Sequence, residues 1–74
     1  MKYLVIIEKT STGYSAYTPD LDGCIATGAS KKQVEQNIKE AIEFHLEGLN
    51  LEGSQIPDPH SYAQYVDVAP QQST

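Results

Sequence analysis

Positive charge is scarce in this 74-residue chain: five Lys and Arg residues stand against ten Asp and Glu, a net charge of −5. The sequence pI of about 4.7 argues against unaided binding to nucleic acid, whose phosphate backbone needs a basic face. It suits a partner that is itself basic. Cysteine is nearly absent as well. Cys24 stands alone, which excludes an internal disulfide framework and points to the cytosol. No apolar run approaches the roughly 20 residues of a membrane span. The apolar stretch 3–7 ends at Glu8 and is too short for a signal-peptide core. Internal repeats and low-complexity segments are missing too. The length supports one small domain, here residues 1–69 with a polar tail at 70–74, and a radius of gyration of roughly 11 Å. A chain this small has a thin stability margin and no disulfide to widen it. Such chains gain stability by association, so a homodimer or tetramer is expected.

What the chain does contain reads as alternating strands and one helix. Residues 3–8 (YLVIIE) are rich in β-branched side chains and apolar on both faces, which predicts a strand buried on both sides. A polar turn (KTSTG) leads to residues 14–18 (YSAYT), and the two strands form a hairpin. In the second strand Tyr14 and Ala16 share one face, Ser15 and Tyr17 the other. A second turn (PDLDG) precedes a short third strand at 24–27 (CIAT), ended by Gly28.

Ser30 is a natural N-cap, and Gln33 three residues on predicts a capping box. Val34, Ile38, Ala41, Ile42, His45 and Leu49 then recur at helical spacing as one apolar stripe. Gly48, Asn50 and Gly53 end the helix somewhere past residue 47. Two prolines in IPDP force extended backbone. Residues 62–68 (YAQYVDV) read as a fourth strand. The order β-β-β-α-β predicts a two-layer α+β domain, an antiparallel sheet with one main helix on one face.

Several residues match a known pattern in order: Gly13-Tyr14, Pro19-Asp20-Leu21 with Gly23-Cys24, then Gly28 and Ser30. The helix with Asn37, Glu40-Ala41 and His45-Leu46-Glu47, and the exit Gly53 with Ile56-Pro57 and Pro59, continue it. Over residues 3–68 the chain resembles the HicB-like antitoxin family. The resemblance implies a partial ribonuclease-H-like α+β fold. It also implies a domain that binds and neutralises HicA, a small basic ribonuclease with a double-stranded-RNA-binding-type fold. Full-length members carry a C-terminal DNA-binding unit. The present sequence ends soon after the predicted fourth strand, and no direct DNA binding is expected.

The turn 19–23 is explained by turn chemistry: Pro19 fixes φ, Asp20 and Asp22 bond nearby amides, and Gly23 supplies positive φ. The same aspartates can also display negative charge to a basic partner. Asp20, Asp22, Glu52 and Asp58 are the candidate partner-binding residues. Calcium is rejected, since an EF-hand loop counted from Asp20 would place Lys31 where a Glu is required. Cys24 with His45 or His60 matches no zinc spacing, and no metal or other cofactor is expected. Glu35, Glu40, Glu43 and Glu47 lie mostly off the apolar stripe, and strand 1 offers only Glu8. That is no two-metal carboxylate cluster, so no enzymatic activity is expected. Phe44 lies about 120° from the stripe centre. With Tyr62 and Tyr65 it is the candidate oligomer interface. The alternative function is an uncoupled, self-assembling regulatory or scaffold domain with no toxin partner.

Overall fold

The computed structural model describes residues 1–71. Three strands, β1 (Ile6–Lys9), β2 (Tyr14–Tyr17) and β3 (Ile25–Gly28), form an antiparallel sheet in the order β1-β2-β3, and one helix, α1 (Lys31–Leu51), follows. The fold is α+β, as the alternation of patterns predicts. Ile7 pairs with Ala16, which pairs with Ala26. This row faces the helix, and Ala16 is buried there. Ile6, Tyr17 and Ile25 form the next row, on the opposite face. Among the described residues no element covers that face, and Tyr17 and Ile25 stay exposed. The apolar character of β1 on both faces therefore does not mean burial on both.

Strand β1 begins later than the hydrophobic run. Ile6 is the last residue with a partner, because β2 ends opposite it at Tyr17 and the chain then turns into the loop 18–24. The helix starts where the cap predicts: Ser30 has extended backbone, and its hydroxyl accepts from the Gln33 N–H at 3.1 Å. Only this half of the capping box forms. The Gln33 side chain instead donates to Asn37, which donates in turn to the Thr27 carbonyl at 2.8 Å and ties α1 to β3. Gly48 does not break the helix. It ends at a Schellman motif in which Gly53, at φ +71°, donates to the Asn50 carbonyl and Ser54 donates to that of Leu49.

Val34 and Ile38 from the helix, Ala16 from β2, and Leu21 and Cys24 from the loop are the buried core. Two glycines let the layers close. A Cβ on Gly28 would stand 2.6 Å from the Val34 nitrogen, and one on Gly13 would stand 2.4 Å from the Gly28 carbonyl oxygen. Both obstacles are backbone, so Gly13 serves close approach rather than a positive φ. Gly28→Ala should cost roughly 1–3 kcal/mol, as an overpacked contact does. Urea unfolding with an unchanged m-value would measure it.

The predicted fourth strand is not a strand. After Glu52 no described residue has regular secondary structure, and residues 62–68 pair with nothing in their own chain. β-propensity marks a segment that suits a sheet, but a ladder needs a free edge within reach. The segment runs outward, giving a radius of gyration of 15.7 Å and a long axis of 58 Å, well beyond the roughly 11 Å of a compact chain this size. The final residues of the polar tail, 72–74, lie outside the described residues.

Candidate partner-binding surface

The antiparallel register sorts charge to the two ends of the molecule. Lys9, Tyr14 and Gly28 are aligned at one end, where α1 also begins with Lys31 and Lys32. The helix returns to the other end, which carries the loop 18–24, the helix C-terminus and the segment 52–61. Asp20, Asp22, Glu52 and Asp58 all lie there. The first helical turn has no acidic residue and the last no basic one, so both ends run against the helix dipole. Each misplaced charge costs about 0.3–1 kcal/mol. Local stability is given up at an end where carboxylates outnumber cations, which is where function commonly overrides local rules.

The four acidic residues divide by environment. Asp22, Glu52 and Asp58 are exposed. Asp20 is only 8% exposed and differs from the reading of a displayed charge, since its carboxylate is occupied by its own chain. Oδ2 accepts from the backbone N–H groups of His60 at 2.9 Å and Ser61 at 3.0 Å, and Oδ1 accepts from the Ser61 hydroxyl at 2.5 Å. The His60 ring Nε2 stands 3.2 Å from Oδ1. These contacts lower the Asp20 pKa to about 2. The Ser61 hydroxyl and N–H contribute most, the His60 N–H and ring add less, and burial opposes them. The Tyr3 hydroxyl donates to the Pro57 carbonyl, a second tie on the same segment. Burial first, then Asp58 and Asp20, push the Tyr3 hydroxyl pKa up.

The loop that carries Asp20 turns twice on itself. Leu21 N–H donates to the Thr18 carbonyl and Cys24 N–H to that of Leu21, with Gly23 at φ +71° closing the turn as its type predicts. Leu21, 2% exposed, points into the core between Asp20 and Asp22. Ser61 was not among the residues singled out from the sequence, and Leu21 appeared there only as part of a matched run, not as a core residue. A lone leucine flanked by aspartates is the only trace of the second, and a serine in a polar stretch leaves none of the first.

Beside this end lies an open hollow of about 440 Å³, lined by residues including Cys24, Ile25, Phe44, His45, Leu49 and Glu52. Phe44 is 79% exposed. Neither Tyr62 nor Tyr65 lines that hollow, so the three aromatics grouped from the sequence do not form one patch in a single chain. Cys24 and His45 border the same hollow, while His60 belongs to the Asp20 cluster. Burial raises the Cys24 thiol pKa, which makes it a poor nucleophile. Among the described residues no group of three His, Cys, Asp or Glu side chains is placed to hold a metal ion. No helix among them is long and apolar enough to cross a membrane.

The model of a family described as HicB-like antitoxin of bacterial toxin–antitoxin systems matches residues 3–72. The chain belongs to the HicB-like antitoxin family. A UPF0150 protein of Thermoplasma acidophilum is 45% identical over 58 residues, covering 77% of this chain and 84% of its own. An uncharacterized 14.9 kDa protein of Haemophilus phage HP1 is 36% identical over 67 residues, covering 90% of this chain. The present chain spans 50% of that phage protein. Among solved structures, a chain of a HicA3 and HicB3 toxin–antitoxin complex superposes with a TM-score of 0.69 at 37% identity, covering 80% of this chain and 70% of that one. The antitoxin HicB3 crystal structure gives 0.66 at 38% identity, over 77% of this chain and 42% of that one.

Proposed function

We propose that this HicB-like domain neutralises a small basic HicA-like ribonuclease in the cytosol by covering its active surface. The observation that carries the reading is the superposition on a chain from a HicA3 and HicB3 complex over 80% of the present chain. The charge polarity supports it. A basic toxin meets an end where Asp22, Glu52 and Asp58 are exposed and where the helix C-terminus adds about half a negative charge. The neighbouring hollow, with Phe44 at its rim, offers an apolar anchor inside that rim of charge. Asp20 acts indirectly by fixing the segment that presents Asp58.

Rim charges act mainly on association rate. The triple variant Asp22→Lys, Glu52→Lys and Asp58→Lys should therefore slow association with the cognate basic toxin by about tenfold or more at low salt. The gap should close as ionic strength rises. Surface plasmon resonance across a salt series measures this. Equal association rates for the two forms would remove the acidic end from the interface, and no complex with the toxin at low salt would end the reading.

A second reading, self-assembly without a toxin, is favoured by one feature, the unpaired segment 62–68.

A further inference from the structure

The His60 ring is exposed, yet both of its nitrogens are held by oxygen acceptors. We propose that this ring is the proton-operated part of a latch. With a proton on each nitrogen it pins the segment 57–61 to the loop 18–24, and loss of one proton loosens that segment together with the arm 62–71 that follows it.

The geometry decides which form of the ring closes the latch. Nδ1 stands 3.0 Å from the Asp58 carbonyl oxygen, and Nε2 stands 3.2 Å from Oδ1 of Asp20. A backbone carbonyl only accepts, and so does an ionised carboxylate. Asp20 is ionised throughout the neutral range, because its pKa is about 2. Each ring nitrogen therefore needs an N–H of its own. A neutral imidazole has one N–H and one lone pair, so either tautomer turns a lone pair toward an oxygen and gives up one of the two contacts. Closing is thus linked to proton uptake, and a state that gains contacts on binding a ligand, here a proton, is the one that ligand favours.

The surrounding charges act mostly in the same direction. The loop 18–24 sets the buried Asp20 carboxylate beside Nε2, and Asp58 lies two residues back on the ring's own segment. The N-terminal segment contributes Tyr3, a neutral phenol that donates to Pro57. Lys2, exposed next to Tyr3, is a cation that opposes the carboxylates. The ring tunes the grip and does not make it. The His60 and Ser61 N–H groups and the Ser61 hydroxyl hold Asp20 whatever the charge of the ring. The His60 side chain is 75% exposed, so its pairing with Asp20 has the strength of a surface ion pair, about a two- to fivefold change in an equilibrium.

The consequence lies further along the chain. After Ser61 no described residue has regular secondary structure or pairs with the sheet. The latch is thus the last tie before Tyr62, Tyr65, Val66 and Val68, all of them exposed. In mild acid the arm leaves the fold from a fixed point. As pH rises through the range in which imidazoles lose their charge, the arm spends more time free, and the Asp20 carboxylate is uncovered beside Asp22 and Asp58. The acidic end becomes more negative and less encumbered as protons leave.

Hydrogen exchange at the Ser61 amide reads the latch, measured on the full chain by solvent saturation transfer and corrected for the intrinsic rate at each pH. Protection should be about two- to fivefold lower at pH 8 than at pH 5.5. The fall should coincide with the titration of the His60 ring, followed through its carbon-bound proton shifts. In His60→Ala, protection at Ser61 should stay at the high-pH level at both pH values, because the ring is gone and the Ser61 contacts to Asp20 remain. The helical amides of Val34 and Ile38 should show no such change in either protein. Equal protection at both pH values in the wild type, a response that survives His60→Ala, or a fall displaced from the ring titration would each overturn the proposal. So would an equal fall at Val34 and Ile38, which would mark loosening of the whole fold. The measurement needs no toxin, so its failure leaves the antitoxin reading standing, and the reverse holds too.

Discussion

Leu21→Ala should cost about 2–5 kcal/mol and leave most of the chain unfolded near 37 °C. Leu21 is one of two large side chains with essentially no exposure, Val34 being the other, and it reaches the core from a loop rather than from a regular element. Truncating a buried leucine removes its transfer free energy and leaves a cavity, and the cost depends on how far the surroundings collapse. Here collapse is hindered on two sides. The backbone of Leu21 is held in the turn by Thr18 and Cys24, and its neighbour Asp20 is held by Ser61. A small domain has total stability toward the low end of about 5–15 kcal/mol, so the loss takes most of it. Thermal unfolding followed by circular dichroism checks this. Leu21→Met, which keeps the volume, should lose less than about 1.5 kcal/mol. Equal losses in the two variants would place the side chain outside the core.

That prediction rests on a residue the sequence hides. Periodicity reveals core positions inside a helix or a strand, where a repeat of 3.6 or 2 can be counted. It located Val34, Ile38 and Ala16 with their faces. A core residue in a turn has no period, and PDLDG offers turn signals on either side of the leucine. The sheet itself was legible for β2 and β3, because a hairpin is local and its turns carry glycine and polar residues. β1 shifted by three residues at its start, since the pairing limit is set by where β2 ends. The fourth strand failed for a related reason. Its alternation is genuine, but strand formation is decided by a neighbour, and neighbours distant in sequence are not written in the segment. Among candidate site residues, composition singled out the acidic ones, but that they gather at one end follows only from the register and the path of the helix. Whether a given aspartate faces water or its own backbone depends on contacts forty residues away, as Asp20 and Ser61 show.

The Asp20 clamp should be sensitive to acid and to charge. In the folded chain its pKa is about 2, against an ordinary carboxyl value near 3.9. The folded form therefore binds fewer protons than the unfolded one between these values. The contribution is fully present above about pH 4 and is lost as pH falls toward 2. The amide proton shifts of His60 and Ser61, which donate to this carboxylate, should titrate with a midpoint near pH 2. A midpoint at the ordinary value would show that the grip is absent in solution. Asp20→Ala removes all acceptors at once and should reduce hydrogen-exchange protection of those two amides by about tenfold or more. Asp20→Asn keeps one oxygen for the two N–H groups, so it should retain part of that protection while abolishing the titration. The amides of Val34 and Ile38 lie in the helix and should be little affected in any of the three proteins. That contrast separates a loosened C-terminal segment from general destabilisation. If Asp20→Ala lowers protection in the helix as much as at Ser61, the carboxylate supports the whole fold, and the segment 57–61 is not an independently released unit.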